Sequence, residues 1–170
     1  MHAQLCLCLG HNPWIRGTAT TLALLQWRAD QWSLVNVGDS RVYRIGREGG
    51  WRQLSQDHTY RQSMIARGEI AADQSLGQLF NDLEHMLIAD DNEDDFAIHW
   101  QRGTWQPGEA FLLCTDGVHD TLGEARLQAL FQPWRKLVDQ VAVWRDAVLA
   151  GGAPDNFSLI LLRRTAASAG

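Results

Sequence analysis

The chain has 170 residues, of which 45% are hydrophobic and 21% are charged, a composition that suits one folded domain and excludes a disordered chain. Its formal net charge of −5 and the lack of a basic run argue against a nucleic-acid partner. No apolar segment reaches the length of a membrane span, and the first residues lack the basic start of a signal peptide. We therefore expect a cytoplasmic protein that binds neither nucleic acid nor membranes.

The three cysteines, Cys6, Cys8 and Cys114, follow no regular spacing. An odd number of unpatterned cysteines predicts reduced thiols in a cytosolic protein. Cys6 and Cys8 could belong to a metal-binding fragment, but no second pair completes it. Because both lie in the apolar stretch LCLCLG, we expect them to be core residues.

The first half of the chain predicts a meander of antiparallel strands. Residues 18–27 are rich in Thr and Leu, and residues 32–37 form a second apolar run. Residues 41–45 and 51–54 flank a pair of glycines, which indicates a β-hairpin.

A helix is predicted over residues 58–67. Ser55 and Asp57 are residue types that cap helix N-termini, and Gly68 is typical of a helix end. Residues 79–88 fit a helix or a strand equally well, so both assignments stay open.

The second half combines strands with two amphipathic helices. The acidic residues 90–95 predict an exposed loop. Strands are predicted at 96–100, 110–115 and 157–162, a turn at 106–109, and helices at 123–131 and 135–149. The middle strand is continuously apolar, which is typical of a strand buried on both faces. We predict an α+β fold with helices on antiparallel sheet, as one domain over residues 1–164 with a tail at 165–170.

Three aspartates lie at the ends of predicted strands. Asp39 follows the second strand, Asp116 follows the continuously apolar strand, and Asp155 precedes the last one. A buried carboxylate needs a cation, hydrogen-bond donors or water. Each aspartate alone is typical of a turn. If they converge, their oxygens suit Mg²⁺ or Mn²⁺, and spacing alone leaves both interpretations open.

Four short segments stand in an informative order. They are NVGDSRVY at 36–43, LSQDHT at 54–59, LLCTDGVHD at 112–120 and PDNFSLI at 154–160. Each is common alone. Together, over residues 17 to 162, they resemble the metal-dependent Ser/Thr protein phosphatases of the 2C type. The resemblance implies the family's αββα sandwich, in which helices flank two antiparallel sheets.

The resemblance also implies roles for acidic residues. Asp116 and Asp155 match two carboxylate ligands of the family's binuclear Mn²⁺ or Mg²⁺ centre. Asp39 and Asp120 match acidic residues near a third, weaker metal position. Supporting positions are matched by Ser40, Arg41, Gly117 and Asn156. For Ser40 and Arg41, a hydrogen-bond network between sheet and turn is an equal alternative.

Three further residues of the matched segments have weaker roles. Asp57 and His58 match the turn that precedes the family's helix and flap, and we expect His58 to cap or pack. His119 is expected to be a satisfied surface histidine, and Asn156 to orient Asp155.

The resemblance implies hydrolysis of phosphoserine and phosphothreonine in phosphoproteins, with a Ser/Thr kinase as a further partner. In the family, two divalent ions share a bridging water, lower its pKa and direct it at phosphorus. The metals and an Arg stabilise the charge that develops on the phosphoryl oxygens. No covalent intermediate is needed. Cys114, in an apolar strand without a Cys-x5-Arg loop, is not expected to be a nucleophile.

Several N-terminal motifs of the family do not occur in this sequence. They are an Arg-bearing strand pair, an Asn-Glu-Asp segment and Asp-Gly-x-Gly-Gly-His, which supply a phosphate-binding Arg, the Asp that bridges both metals and a general-acid His. We therefore expect Asp116 and Asp155 to form a half-site with impaired Mn²⁺ or Mg²⁺ binding. We also expect exposed apolar sheet that favours self-association.

Three interpretations stay open at this point. The chain is a phosphatase whose start is misassigned or whose gene is split, or a degenerate phosphatase that binds a kinase or phosphoprotein without hydrolysis, or a decayed gene product. Residues 60–105, which match the family least, are where we expect substrate specificity to lie.

Overall fold

The computed structural model describes residues 2–9, 12, 14–15, 17–74, 82–89 and 96–165. The helices and strands in these residues are α1 (His2–Leu9), β1 (Ala19–Thr20), β2 (Leu22–Arg28), β3 (Gln31–Val37), β4 (Arg41–Ile45), β5 (Trp51–Gln53), α2 (Tyr60–Ala66), β6 (Leu87–Ile88), β7 (His99–Thr104), β8 (Ala110–Cys114), α3 (Asp116–Ala129), α4 (Leu137–Ala150) and β9 (Leu159–Arg163). The predicted loop at 90–95 and most of the predicted tail lie outside the described residues. Within the described ranges, every helix is too short or too polar to span a bilayer.

The strands pair in antiparallel fashion throughout the described sheets. β1 pairs with β6, β2-β3-β7 form a three-stranded sheet, and β5-β4-β8-β9 form a four-stranded sheet. The predicted β4–β5 hairpin is confirmed, with Ile45 opposite Trp51. The predicted α+β class, with helices on antiparallel sheet, is also confirmed.

The four-stranded sheet is buried on both faces. Successive side chains of a strand point to opposite faces, and β8 shows the result: Phe111 packs with Leu34 in a core between the two main sheets. Leu112 packs with Trp144 in a second core beneath α3 and α4. All four side chains are fully buried. Burial on both faces explains why residues 110–114 are continuously apolar.

Helix α3 begins at Asp116 and not, as predicted, near residue 123. Thr115 has extended φ and ψ and occupies the N-cap position. Gly123, with a φ of 69°, kinks the helix without ending it. Sequence patterning treats glycine as a helix breaker, but the burial of Leu122 before the kink and of Leu127 after it holds both halves of this helix on the sheet.

Helix α2 begins at Tyr60, two residues later than predicted. Its N-cap is Thr59, whose hydroxyl accepts a hydrogen bond from the main-chain N–H of Gln62. Ser55 and Asp57 cap no helix, because both are bonded to β4 instead.

Three predicted strands have different bounds in the structure. The strand predicted at 18–27 is divided at Thr21, whose side chain packs against Gly38. The strand predicted at 96–100 begins at His99 and extends to Thr104, and the last strand begins at Leu159. In the ambiguous segment 79–88, residues 87–88 form β6 and the residues up to 81 lie outside the described part.

The prediction that Cys8 is a core residue is wrong. Cys8 is exposed on α1, and it and Cys114 are free thiols. The apolar stretch forms a helix, in which residues two apart point to opposite sides, so alternating cysteines cannot share one core. The side chain of Cys6 lies outside the described part.

Candidate functional site

The segments that carry Asp116 and Asp155 lie side by side. β8 and β9 are adjacent antiparallel strands. Their pairing continues beyond the strands, because the main-chain N–H of Thr115 donates to the carbonyl of Ser158 at 3.1 Å. The N–H of Ser158 donates in return to the Thr115 hydroxyl at 3.0 Å. These bonds place the loop before β9 against the start of α3.

Gly117 allows the two segments to touch. A Cβ on Gly117 would lie 2.4 Å from the carbonyl oxygen of Asn156. No side chain fits in that space, so only glycine permits this approach. Each carboxylate accepts a hydrogen bond from the next main-chain N–H, Asp116 from Gly117 at 2.8 Å and Asp155 from Asn156 at 2.7 Å. The main chain of Asn156 therefore orients Asp155.

Asp39 lies at the same end of the molecule, in the connection from β3 of the three-stranded sheet to β4 of the four-stranded sheet. Its carboxyl pKa is raised above 3.8, first by burial and then by the negative charge of Asp116, while His119 opposes the shift. β4 also pairs with β8, with Arg41 opposite Cys114, so Asp39, two residues before Arg41, and Asp116, two residues after Cys114, lie at the same end of the four-stranded sheet. The connection between β3 and β4 thus places Asp39 close to the start of α3.

His119 connects Asp39 with Asp120. The side chain of His119 is buried, its Nε2 lies 3.2 Å from the main-chain oxygen of Asp39, and its Nδ1 lies 2.9 Å from the Asp120 carboxylate. The nearby His119 side chain lowers the pKa of Asp120, although burial opposes the shift. The expectation of a surface histidine is wrong because α3 begins at Asp116, and this start turns residue 119 inward.

Arg41 and Ser40 bond to neighbouring segments. The Nε and Nη2 atoms of Arg41 donate to one oxygen of Asp57 at 3.0 and 2.7 Å. Burial alone would lower the pKa of Arg41, but the hydrogen bonds and charge of Asp57 raise it overall. The Ser40 hydroxyl lies 2.9 Å from that of Thr21. Both residues thus take part in the sheet–turn network that was one of the two alternatives.

The turn at 54–59 is also bonded to the loop that carries Asp39. Asn36 and Gln56 exchange two hydrogen bonds at 2.7 and 3.2 Å. Gly38 and His58 exchange two more, both at 3.1 Å. His58 does not cap α2. It is a buried packing residue whose Nδ1 accepts the hydrogen bond from the Gly38 N–H. Sequence spacing did not indicate these pairs, because the partners lie 20 residues apart.

A groove of about 290 Å³ lies between the two main sheets beside these loops. Its lining includes the hydroxyl residues Thr20, Thr21, Ser40, Thr115 and Ser158. Cys114 also borders it, and burial raises the pKa of this thiol to about 12. A thiol with that pKa is protonated at neutral pH and is a poor nucleophile, in agreement with the sequence-based expectation.

The carboxylates fit a divalent cation in chemistry but only partly in number. Mg²⁺ and Mn²⁺ prefer oxygen donors, which the carboxylates of Asp39, Asp116, Asp120 and Asp155 offer. Among the side chains that the structure describes, no three His, Cys, Asp or Glu lie close enough together to hold one ion. Within the described residues, these carboxylates alone therefore do not make up a complete cation site.

Two packed antiparallel sheets, one of them covered by α3 and α4, with acidic residues at one end, define an α+β sandwich with a candidate cation site. A family sequence model for protein phosphatase 2C matches residues 8–150. The chain belongs to the protein phosphatase 2C family, as the four segments predicted.

Two curated relatives are bacterial enzymes. The serine/threonine protein phosphatase PstP of Mycobacterium tuberculosis is 28% identical over 152 residues, covering 88% of this chain and 28% of PstP. The serine/threonine phosphatase stp of Listeria innocua is 25% identical over 153 residues, covering 88% of this chain and 58% of stp. The chain therefore spans about a quarter of one relative and somewhat more than half of the other.

Solved structures of PstP share the fold. One superposes with a TM-score of 0.86 at 22% identity, covering 97% of this chain and 68% of that one. A second, of the catalytic domain in complex with two manganese ions, has a TM-score of 0.79 at 22% identity and covers 97% of this chain and 67% of that one. The predicted sandwich architecture is confirmed.

Proposed function

We propose that the chain is a protein Ser/Thr phosphatase that hydrolyses phosphoserine and phosphothreonine with a binuclear Mn²⁺ or Mg²⁺ centre. Asp116 and Asp155 are its proposed metal ligands, and Asp39 and Asp120 serve a third, weaker position. The observation that most supports this proposal is the pairing of β4 with β8, which places Asp39 and Asp116 at the same end of the four-stranded sheet. Family membership and the manganese-bound PstP structure support the metal and the reaction.

The chain's own residues prepare the carboxylates for this role. Asp116 and Asp155 each use Oδ1 to accept a main-chain N–H, which fixes the side chain and leaves Oδ2 for a cation. The nearby His119 side chain lowers the pKa of Asp120 and so favours its ionised form. Bound divalent ions supply an activated water at neutral pH. Gly117 supports the site by letting its two loops touch.

Phosphoproteins are the proposed substrates, with a Ser/Thr kinase among the partners, because the curated relatives are Ser/Thr phosphatases. The free thiols Cys8 and Cys114 support a cytoplasmic location. Self-association is proposed through the outer face of the three-stranded sheet. There, Leu24 and Trp100 lie on either side of Val35 and are 49% and 63% exposed.

Phosphate release from a phosphothreonine peptide tests the proposed activity. The full chain should release phosphate only with Mn²⁺ or Mg²⁺, and Asp116→Asn should reduce the rate by at least about tenfold, since even partners of metal ligands contribute that much. Asp146→Asn, an exposed carboxylate on α4, is the matched control and should not change the rate. Metal-independent release, or equal rates for Asp116→Asn and the wild type, would contradict the proposal.

A phosphoprotein-binding module without catalysis is the second candidate. It is favoured by one observation: within the described ranges, acidic and histidine side chains form no group of three at metal-binding distance. Fluorescence anisotropy of the same labelled peptide separates the two. Saturable binding without phosphate release, with or without Mn²⁺, would establish the binding module and exclude the enzyme.

A further inference from the structure

His58 joins three segments of the molecule. Its main-chain N–H donates to the carbonyl of Gly38 at 3.1 Å, and its ring Nδ1 accepts the N–H of Gly38 at 3.1 Å. Its carbonyl accepts the main-chain N–H groups of Glu84 and His85 at 2.9 and 3.4 Å. The residue is only 6% exposed. One buried histidine therefore holds the end of β3, the turn before α2 and residues 84–85.

The bond from Gly38 determines which nitrogen of His58 carries the proton. A main-chain N–H can only donate, so Nδ1 accepts and is unprotonated, and the neutral ring carries its proton on Nε2. The ring borders a cavity of about 170 Å³ that His85 and His99 also line, with the His85 ring 5.7 Å away.

The charged groups around His58 favour this neutral form. Burial lowers its pKa below 6.5, and the charges of His85 and His99 lower it further. Asp57 and Glu84 oppose the shift without reversing it. The ring is thus unprotonated, as the hydrogen bond from Gly38 requires, at neutral pH.

Gly38 in turn determines the course of the chain into Asp39. Its φ is 93°, a conformation that favours glycine, and a Cβ would lie 2.4 Å from the side chain of Thr21. The Gly38 peptide is therefore held between Thr21 and His58. The next carbonyl, of Asp39, lies 3.2 Å from Nε2 of His119. If the Gly38 N–H lost its hydrogen bond to His58, the φ angle of Gly38 would no longer be held. A change in this angle would move Asp39, the next residue.

We propose that His58 is a positioning residue for Asp39, because its unprotonated Nδ1 holds the Gly38 amide and so fixes the main chain that carries the Asp39 carboxylate at the start of α3. The role of Asp39 as a metal ligand rests on the proposed function, whereas the bond from Gly38 to His58 does not. Protonation of His58 removes the acceptor, so acid should release the loop.

Two substitutions in the full chain separate the acceptor from the bulk of the ring. In His58→Asn the side-chain oxygen can take the place of Nδ1, whereas His58→Leu fills space without an acceptor. Amide hydrogen exchange of Gly38, measured by NMR at pH 7.5, should be about tenfold faster in His58→Leu because one buried hydrogen bond is lost. His58→Asn should stay near the wild-type rate. His85→Asn, which keeps the Gly38 bond, is the control.

The pH dependence supplies a readout that a packing role would not change. Protection of Gly38, corrected for the intrinsic exchange rate, should fall in the wild type below about pH 6.5 and remain level in His58→Asn. Equal Gly38 exchange in His58→Leu and the wild type would overturn the proposal. Equal loss in folded His58→Asn and His58→Leu would also overturn it. If Gly38 is protected as expected but the chain binds no Mn²⁺, the proposed metal site is contradicted and the positioning role of His58 is not.

Discussion

Gly38 and Gly117 occupy positions where any other residue would displace a neighbour. An added Cβ would lie 2.4 Å from the Thr21 side chain at Gly38 and 2.4 Å from the carbonyl of Asn156 at Gly117. Sequence motifs marked both glycines, but the reason for them could not be predicted, because each contact joins segments that are distant in the chain.

Substitution of Gly38 should be much less tolerated than that of a glycine with similar φ in open space. Gly38→Ala combines a φ of 93° with a steric clash, and we expect a loss of about 2–4 kcal/mol in unfolding free energy. Gly68→Ala, at a φ of 72° with no atom within 4 Å, should lose only about 1 kcal/mol. Urea denaturation measures both, and equal losses would show that the Thr21 contact is unimportant.

His58 predicts how stability responds to pH. Because its folded pKa lies below 6.5, the unfolded chain binds more protons than the folded chain just below that pH. The contribution of neutral His58 to the free energy of unfolding is therefore fully present above pH 6.5. It is lost as the pH falls towards the folded pKa, by at most about 1.4 kcal/mol per pH unit. The urea concentration at the unfolding midpoint should fall between pH 7.5 and pH 5.5, and this fall should be larger in the wild type than in His58→Asn. An equal fall would contradict the assignment.

At the scale of elements, an ion pair holds the turn at 54–59 on β4. The side chains of Arg41 and Asp57 are 24% and 14% exposed, and Gln53 adds a hydrogen bond to Asp57 at 2.9 Å. Partial burial strengthens such a pair and makes the loss of one partner unfavourable.

Removal of the negative charge should destabilise this connection. Asp57→Asn leaves Arg41 half-buried without a counter-charge, and we expect a loss of about 1–3 kcal/mol. The control is Asp146→Asn in the Arg145–Asp146 pair, whose side chains are 55% and 64% exposed. It should lose less than about 0.5 kcal/mol. Thermal denaturation that gives the same shift for both variants would contradict the importance of burial.

Elements were predictable from sequence where local pattern decides them. β4 was predicted with its observed bounds because apolar and turn residues delimit it. The start of α3 was missed because Gly117 and Gly123 suggest a break, whereas packing on the sheet overrides that preference. For the site, the strand-end aspartates were identified, but the inward turn of His119 depends on where α3 begins.

At the scale of the molecule, two cores on either face of the four-stranded sheet leave the outer face of the three-stranded sheet partly apolar. Trp100 on that face should promote association. Sedimentation velocity should show concentration-dependent oligomers of the wild type that Trp100→Lys reduces. Trp134→Lys, at a residue 80% exposed in the loop before α4, is the control and should not change the distribution. Identical distributions for Trp100→Lys and the wild type would exclude this face.

The central claim is that carboxylates from separate segments of the chain meet at one end of the sandwich as part of a divalent-cation site. Titration of the full chain with Mn²⁺, followed by the electron paramagnetic resonance signal of the free ion, tests it directly. Binding should saturate in the wild type, remain unchanged in Asp146→Asn and weaken at least about tenfold in Asp116→Asn. No Mn²⁺ binding by the wild type, or equal affinity in Asp116→Asn, would contradict the claim.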